Sequence, residues 1–324
     1  GGGIFLCNTA DTLFSNVTVR GNASRAVEKD IPSYGGGIAL VSCGGIVFDG
    51  CTVARNSFIP TKNDYWSYVS VYGGGFAVLS PTADNVIRNT RIYSNTTQPD
   101  NRQDASCGFY GGGVYYVNST SDGRRLVLVN NRVSANGGCY GFLAAGDGAG
   151  LYGNNMLVSN CVVALNAGVG IAYNTTKGPI EVVDSIVWGH AIDVRTTADA
   201  ATVAARHSLF GETSGGTYAD CVTNADPLFG PDFSLDAKSP AKGIGTSGGD
   251  AGCVFTSAPP AWTVARVDPV NGDDKNPGAK GYKSLTAALA ATGDWTRFEL
   301  AKGQYTAETG ETYPIFVGNR IGVH

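Results

Sequence analysis

Residues 111–136 read GGGVYYVNSTSDGRRLVLVNNRVSAN, and the same phrase occurs elsewhere in the chain. Residues 1–22 give GGGIFLCNTADTLFSNVTVRGN, residues 35–56 GGGIALVSCGGIVFDGCTVARN, and residues 73–95 GGGFAVLSPTADNVIRNTRIYSN. Weaker copies start at Gly148 and Gly168. Each copy opens on small residues and an apolar run. It then carries a first Asn-like position and, six residues later, a second. The first column is Asn16, Gly50, Asn89, Asn130, Asn160, Asp184; the second is Asn22, Asn56, Asn95, Asn136, Asn166, His190. Between the columns stand VTV, CTV, TRI, NRV, CVV and SIV. Short runs rich in Val, Ile and Thr, bounded by Asn and Gly, read as strands.

A unit of this size cannot bury its own apolar face, so the copies must stack. Stacked turns of short strands form a parallel β-helix, with neighbouring turns about 4.8 Å apart. The expected fold is all-β, a right-handed parallel β-helix solenoid, since parallel crossovers are right-handed. At a turn corner, Asn tolerates the left-handed conformation, and Gly50 does so without a side chain. At the strand spacing, Asn amides also bond to those above and below, as in cross-β stacks. Both columns are therefore expected to be structural ladders. His190 is read as the end of one.

The stretches before the glycine phrases vary in length and hold no register. They read as loops pushed out on one side, where Tyr65, Trp66, Tyr68 and Tyr72 form either a self-packed loop or an aromatic surface for glycans.

The bulk numbers are consistent with a sheet-rich body: 43% hydrophobic, 15% charged, 46 Gly and a net charge of −4. Such a charge gives no footprint for nucleic acid. No apolar run reaches the length of a membrane span, and none is expected to insert. The chain lacks an initiating Met and reads as a mature or excised piece. Eight cysteines without a CxxC pair suggest an oxidising compartment, and hence an extracellular or cell-surface location. Aligned copies put Cys7 beside Cys43; Cys107 with Cys139 would clip two loops, and Cys221 with Cys253 a later segment. Cys51 and Cys161 share a column three turns apart, too far to bridge. Asn-x-Ser/Thr sequons at Asn16, Asn22, Asn95, Asn118 and Asn174 permit glycosylation.

The glycine phrase with its spaced Asn resembles the repeat of bacterial surface β-helix proteins, including the polymorphic outer-membrane protein group. Residues 225–252, ADPLFGPDFSLDAKSPAKGIGTSGGDAG, resemble the closing segment of secreted pectate-lyase-like β-helices. Residues 267–317, beginning VDPVNGDDKNPG, are similar to the opening cap of a related family of uncharacterised β-helix proteins. In that resemblance the cap opens a domain and the closing segment ends it. Here the order is reversed, as in a permuted coil. The expected organisation is β-helix turns over 1–255, a linker over 256–266, and a cap-like segment over 267–324. The resemblance implies that the helix after Ser284 plugs a coil end.

Open coil ends expose strand edges and core side chains. Gly1, Gly2, Gly3, Ile4, Phe5 and Leu6 are expected at one end. Leu285, Leu289, Phe316, Val317, Ile321 and Val323 are expected at the other. The leading expectation is a structural subunit of an extracellular filament whose partners are copies of itself, joined head to tail. The alternatives are a fragment of a tandem-repeat surface adhesin and, less favoured, a polysaccharide lyase or hydrolase. Such enzymes need clustered carboxylates, whereas Asp49, Asp84, Asp122 and Asp184 fall out of column. His190 and His207 lack a recognisable catalytic context. No catalytic residue or cofactor is assigned. The one metal candidate is a Ca²⁺ set of Asp268, Asn271, Asp273 and Asp274, a composition that equally makes Asx turns.

Overall fold

The computed structural model describes residues 2–26, 33–60, 70–97, 108–118, 122–138, 150–173, 178–196, 203–230, 233–253, 263–292, 296–312 and 321–323. The chain divides into two compact units, Gly1–Phe255 and Thr256–His324.

The first unit is a coil of parallel strands. Its first sheet holds eight strands, from Ile4–Cys7 to Thr213–Ser214. The second also holds eight, from Leu13–Ser15 to Thr217–Ala219, and the third seven, from Thr18–Arg20 to Leu209–Phe210. In all three, each strand pairs in parallel with the equivalent strand of the next turn, for example Ile4 with Ile38, Phe14 with Phe48 and Val19 with Val53. Inward positions alternate with outward ones, so Ile38, Leu40, Phe48, Val53 and Phe76 meet inside and are almost wholly buried.

The variable stretches keep more order at their roots than expected. Ala23–Ala26, Ser57–Pro60, Thr96–Thr97 and Gly137–Gly138 form a four-stranded parallel sheet. Ser33–Tyr34, Ser70–Tyr72 and Gly108–Tyr110 form a three-stranded one. The coil also runs past the sixth copy. Its first corner continues through His207 and Asp220, at φ of 50° and 53°, where the residue type no longer signals the repeat.

Residues 225–253 are not a further turn. Phe229, Phe233, Leu235, Ala241, Ile244 and Ala251 pack with Val162, Ile186 and Leu209 of the third sheet. Phe229 and Leu235 make an antiparallel bridge. Asp184 anchors the segment, since its Oδ1 accepts from the N–H and hydroxyl of Thr246 at 2.7 and 2.8 Å.

The second unit holds three parallel strands, Thr263–Val267, Thr296–Leu300 and Ile321–Val323. The first of these, Thr263–Val267, takes in residues 263–266, which the sequence assigns to the linker. A helix over Leu285–Ala291 follows, with the Ser284 hydroxyl accepting from the Ala287 N–H. Glu311 adds a carboxylate there, taking the N–H groups of Leu285 and Thr286 at 2.7 and 2.9 Å. Leu285 and Leu289, expected at a subunit junction, lie buried in this unit's own core with Val267 and Phe298.

Candidate functional site

The two Asn columns differ in kind. The first is an exposed or half-buried corner in which Asn16, Gly50, Asn89, Asn130, Asn160 and Asp184 all take φ between 49° and 65°. Its amides make few bonds along the coil: Asn130 Nδ2 donates to Asn89 Oδ1 at 2.8 Å, while Asn89 Nδ2 turns to Asp49 Oδ1 at 2.7 Å.

The second column does not hold the left-handed residue. That conformation falls one position earlier, at Gly21, Arg55, Ser94, Ala135, Leu165 and Gly189. The corner is thereby turned before the Asn, and its side chain points into the coil. Nδ2 of Asn22 donates to Oδ1 of Asn56 at 2.9 Å, Asn56 to Asn95 at 2.9 Å, Asn95 to Asn136 at 3.0 Å, and Asn136 to Asn166 at 2.9 Å. Each Oδ1 also accepts the backbone N–H of the Asn one turn back. The second Nδ2 hydrogen of Asn56, Asn95, Asn136 and Asn166 goes to the carbonyl of Val19, Val53, Ile92 or Val133. An interior amide thus makes all four of its bonds.

The column ends at His190. Asn166 Nδ2 donates to Nε2 at 3.0 Å, which assigns the ring hydrogen to Nδ1, 2.6 Å from Asp193 Oδ1. Asp193 accepts in addition from the backbone N–H of His190 and of Gly211. Both side chains are almost fully buried, at 0% and 2% exposure. This is a sealed polar terminus with no access for a substrate.

A further ladder follows the first corner and carries no Asn signature. Cys51, Thr90, Asn131, Cys161, Ser185 and Ser208 stand one residue after it in successive turns. The N–H of Cys51 donates to Thr90 Oγ1, Thr90 to Asn131 Oδ1, Cys161 to Ser185 Oγ, and Ser185 to Ser208 Oγ. The recurrence of one small polar residue immediately after the corner is the signal that would have found it.

The expected disulfides among described residues are absent. Cys7 is exposed and pairs with Val41, whereas Cys43 is buried in the core with Sγ turned to the Val41 carbonyl. Cys221 packs against the inner core and Cys253 against the cluster outside the third sheet, so the wall lies between them. Burial pushes the Cys161 and Cys253 thiols up to about 12, leaving no reactive thiolate. Cys107 and Cys139 lie outside the described residues.

Two sequons are closed. Asn95 and Asn118 are buried, and their Nδ2 atoms are held by Asn136 and by Asp122 and the Arg124 carbonyl. Asn22 is half-buried with its nitrogen in the ladder, and Asn16 is exposed. Asn174 lies outside the described residues.

The carboxylates serve local turns. Asp268 accepts from the N–H groups of Val270 and Asn271, Asp273 from Lys275 and Asn276, and Asp274 from Lys283 and Ser284. The backbone donors at Asn271 and Val270 hold the Asp268 carboxyl below its usual range. Asp49, Asp84 and Asp122 bind Arg88, the Arg125 N–H and Arg124.

Of the expected aromatic surface, Tyr65, Trp66 and Tyr68 lie outside the described residues. Tyr72 stacks between Tyr34 and Tyr110, each centroid 5.3 Å away, and beside them Tyr115 stacks on Tyr152 at 5.4 Å. These rings spend their faces on one another.

At the first turn of the coil the interior comes to the surface. Ile4, Leu6, Phe14 and Val17 face inward and pack on the core, yet remain half-buried. Their partners in register, Ile38, Leu40 and Phe48, are 0%, 2% and 1% exposed. The strands Ile4–Cys7, Leu13–Ser15 and Thr18–Arg20 are each the last of their sheet. Gly2 and Gly3 donate to Gly35 and Gly37 of the second turn, and Phe5 points outward at 58% exposure. Gly1, Phe316 and Val317 lie outside the described residues. Ile321 and Val323 belong to the edge strand of the second unit.

Residues 1–206 match the family model described as "Right handed beta helix region". Residues 270–323 match the model described as "Protein of unknown function (DUF1565)". No curated protein and no solved structure matches the chain.

Proposed function

The chain belongs to the right-handed β-helix family, and we propose that it is a structural subunit of an extracellular fibre. In this reading the second unit of one copy stacks under the first turn of the next. The observation that carries it is the half-buried inner face of Ile4, Leu6, Phe14 and Val17, bounded by three edge strands. An unpaired edge is a template for another strand, and burying each large apolar side chain fully is worth roughly 1.5–3 kcal/mol. The second unit offers parallel strands of the same kind with an edge at Ile321–Val323. The two surfaces differ, so repeated joining gives an open, unidirectional polymer.

Sedimentation velocity and negative-stain imaging over a range of concentrations test this. Rods that lengthen with concentration are expected, and Phe14→Glu, which puts a charge into the stacking face, should leave monomers. A wild-type chain that stays monomeric at all concentrations overturns the reading.

A further inference from the structure

The sequon Asn16-Val17-Thr18 differs from the others in which way its residues face. Asn16 itself holds the left-handed corner, at φ of 55°. The strand alternation restarts behind it. Val17 turns inward and packs on the core, whereas Asn16 and Thr18 are both exposed. In the sequons at Asn22 and Asn95 the left-handed residue is Gly21 or Ser94, one position before the Asn, and the facing is reversed. Asn22 and Ser24 are half-buried with Ala23 exposed between them. Asn95 and Thr97 are 0% and 1% exposed, with Thr96 half-buried between them. Asn118 is buried as well.

The amides differ in the same sense. Attaching a sugar to an Asn replaces one Nδ2 hydrogen by carbon and leaves the other. Asn95 uses both hydrogens, on Asn136 Oδ1 and the Val53 carbonyl. Asn22 uses both, on Asn56 Oδ1 and the Arg20 carbonyl, and Asn118 both, on Asp122 and the Arg124 carbonyl. Asn16 Nδ2 donates to the Ser15 hydroxyl at 3.2 Å, a bond that one remaining hydrogen can keep. Its Oδ1 rests over Gly50 of the second turn, where a Cβ would stand 2.5 Å away. With the oxygen on that side, the nitrogen is turned away from the second turn. The amide stands on the rim, outside the inward-facing Ile4, Leu6, Phe14 and Val17.

We propose that Asn16 is a glycan acceptor for a transferase that reads Asn-x-Ser/Thr and takes its oligosaccharide from a polyprenyl diphosphate. Nδ2 forms a bond to the anomeric carbon, and that carbon's bond to the diphosphate oxygen breaks. The diphosphate leaves, and the displaced amide proton passes to a base of the transferase. Thr18, exposed on the same outer surface, supplies the hydroxyl that the enzyme reads. A sugar added at Asn22 or Asn95 before folding takes a hydrogen from the inner ladder, so such chains are lost from the folded pool. The proposal rests on the extracellular location in the reading above and not on the polymer.

The test is the full chain secreted from a host that carries such a transferase, cleaved after Lys and Arg and read by mass spectrometry. Cleavage after Arg20, Arg25, Arg91 and Arg102 puts Asn16, Asn22 and Asn95 in separate peptides. The peptide ending at Arg20 should carry the sugar, and those with Asn22 and Asn95 should be bare. Asn16→Gly, which keeps the corner as Gly50 does at φ of 65°, should abolish the modification. Thr18→Ala should abolish it too, at an exposed position where folding is not at stake, and Thr18→Ser should retain it. A bare Asn16 in the secreted wild-type chain overturns the proposal. A sugar on Asn22 or Asn95 at the same occupancy also overturns it, because the fold would then not select the acceptor. Sedimentation of chain made without the transferase reads the polymer separately, so either reading can fail without the other.

Discussion

The corner column and the inner column are both built mainly of Asn, at Asn16, Asn89, Asn130 and Asn160 on the rim and at Asn22, Asn56, Asn95, Asn136 and Asn166 inside, for different physical ends. At the corner, Asn89 and Asn130 are selected by a backbone dihedral, and Gly50 replaces them with φ of 65° at no apparent cost to the turn. Inside, Asn56, Asn95 and Asn136 have ordinary dihedrals and are selected by the amide, whose four bonds run along the coil axis. A periodic polar residue in a solenoid therefore has to be judged by where the left-handed residue falls. When that residue is the Asn itself, the side chain is left on the rim. When it is the preceding residue, the Asn enters the core.

The largest effect should come from the inner column. Asn136→Ala strips two acceptor and two donor bonds, leaving the buried N–H of Asn95 and one of its Nδ2 hydrogens without an acceptor and Asn166 Oδ1 with only the backbone N–H of residue 136. Denaturant unfolding should show a loss of about 3–5 kcal/mol. A loss as small as that of a rim substitution would erase the distinction between the columns.

At the column's end, Asp193→Asn tests whether the terminus is tuned as tightly as the interior. An amide cannot accept on both arms from Gly211 N–H and from His190, so one buried donor loses its acceptor. Thermal or denaturant melting should record about 1–3 kcal/mol of destabilisation. A neutral result would mean that the site holds enough slack to re-form its bonds.

The coil itself was legible because glycine phrases and Val/Ile/Thr triplets recur in register, and strand pairing then follows from stacking. Three things were not. The corner column could not be followed into the last two turns, because His207 and Asp220 hold it with residues other than Asn, though the dihedral persists. The ladder through Thr90, Asn131, Cys161, Ser185 and Ser208 was hidden because hydroxyl, amide and thiol serve interchangeably as acceptors for one N–H. The pairing of Cys7 with Cys43 failed because alignment by repeat fixes the turn and leaves open which side of the wall a residue faces; one thiol is outside and the other inside. Spacing gives position along the coil, while facing depends on where each left-handed residue resets the alternation, and residues such as Arg55, Ala135 and Leu165 in that role carry no compositional mark.

Those residues supply a sharper test, with an inverted sign. Ala135 and Leu165 sit at φ of 52° and 55° in the position that turns the corner before the inner Asn. An L-residue there costs roughly 1–2 kcal/mol relative to glycine, partly offset by glycine's greater freedom when unfolded. Ala135→Gly, a change that weakens most proteins, should here stabilise by about 0.5–1 kcal/mol. Melting of the single variant beside Ala54→Gly, at a buried strand position of the same sheet, reads out the sign directly. If both changes destabilise, the strain assigned to this position is not there.

The smallest effect separates the columns by pH. Asn89 Nδ2 donates to Asp49 Oδ1, and the Arg88 guanidinium lies 2.9 Å from Oδ2. The Asn89 amide first, then Arg88, holds the Asp49 carboxyl below its ordinary value. A carboxyl depressed in the folded state contributes stability that is present above its unfolded value, near 4, and lost as pH falls through the lower folded one. Asn89→Gly keeps the corner dihedral and removes only the amide. It should cost less than about 1 kcal/mol at neutral pH, as exposed pairs do, and the gap from wild type should close in acid. The gap produced by Asn136→Ala should stay constant over the same range, because no titrating group bonds to that amide. Parallel pH profiles for the two variants would show that the rim amide does not act through Asp49.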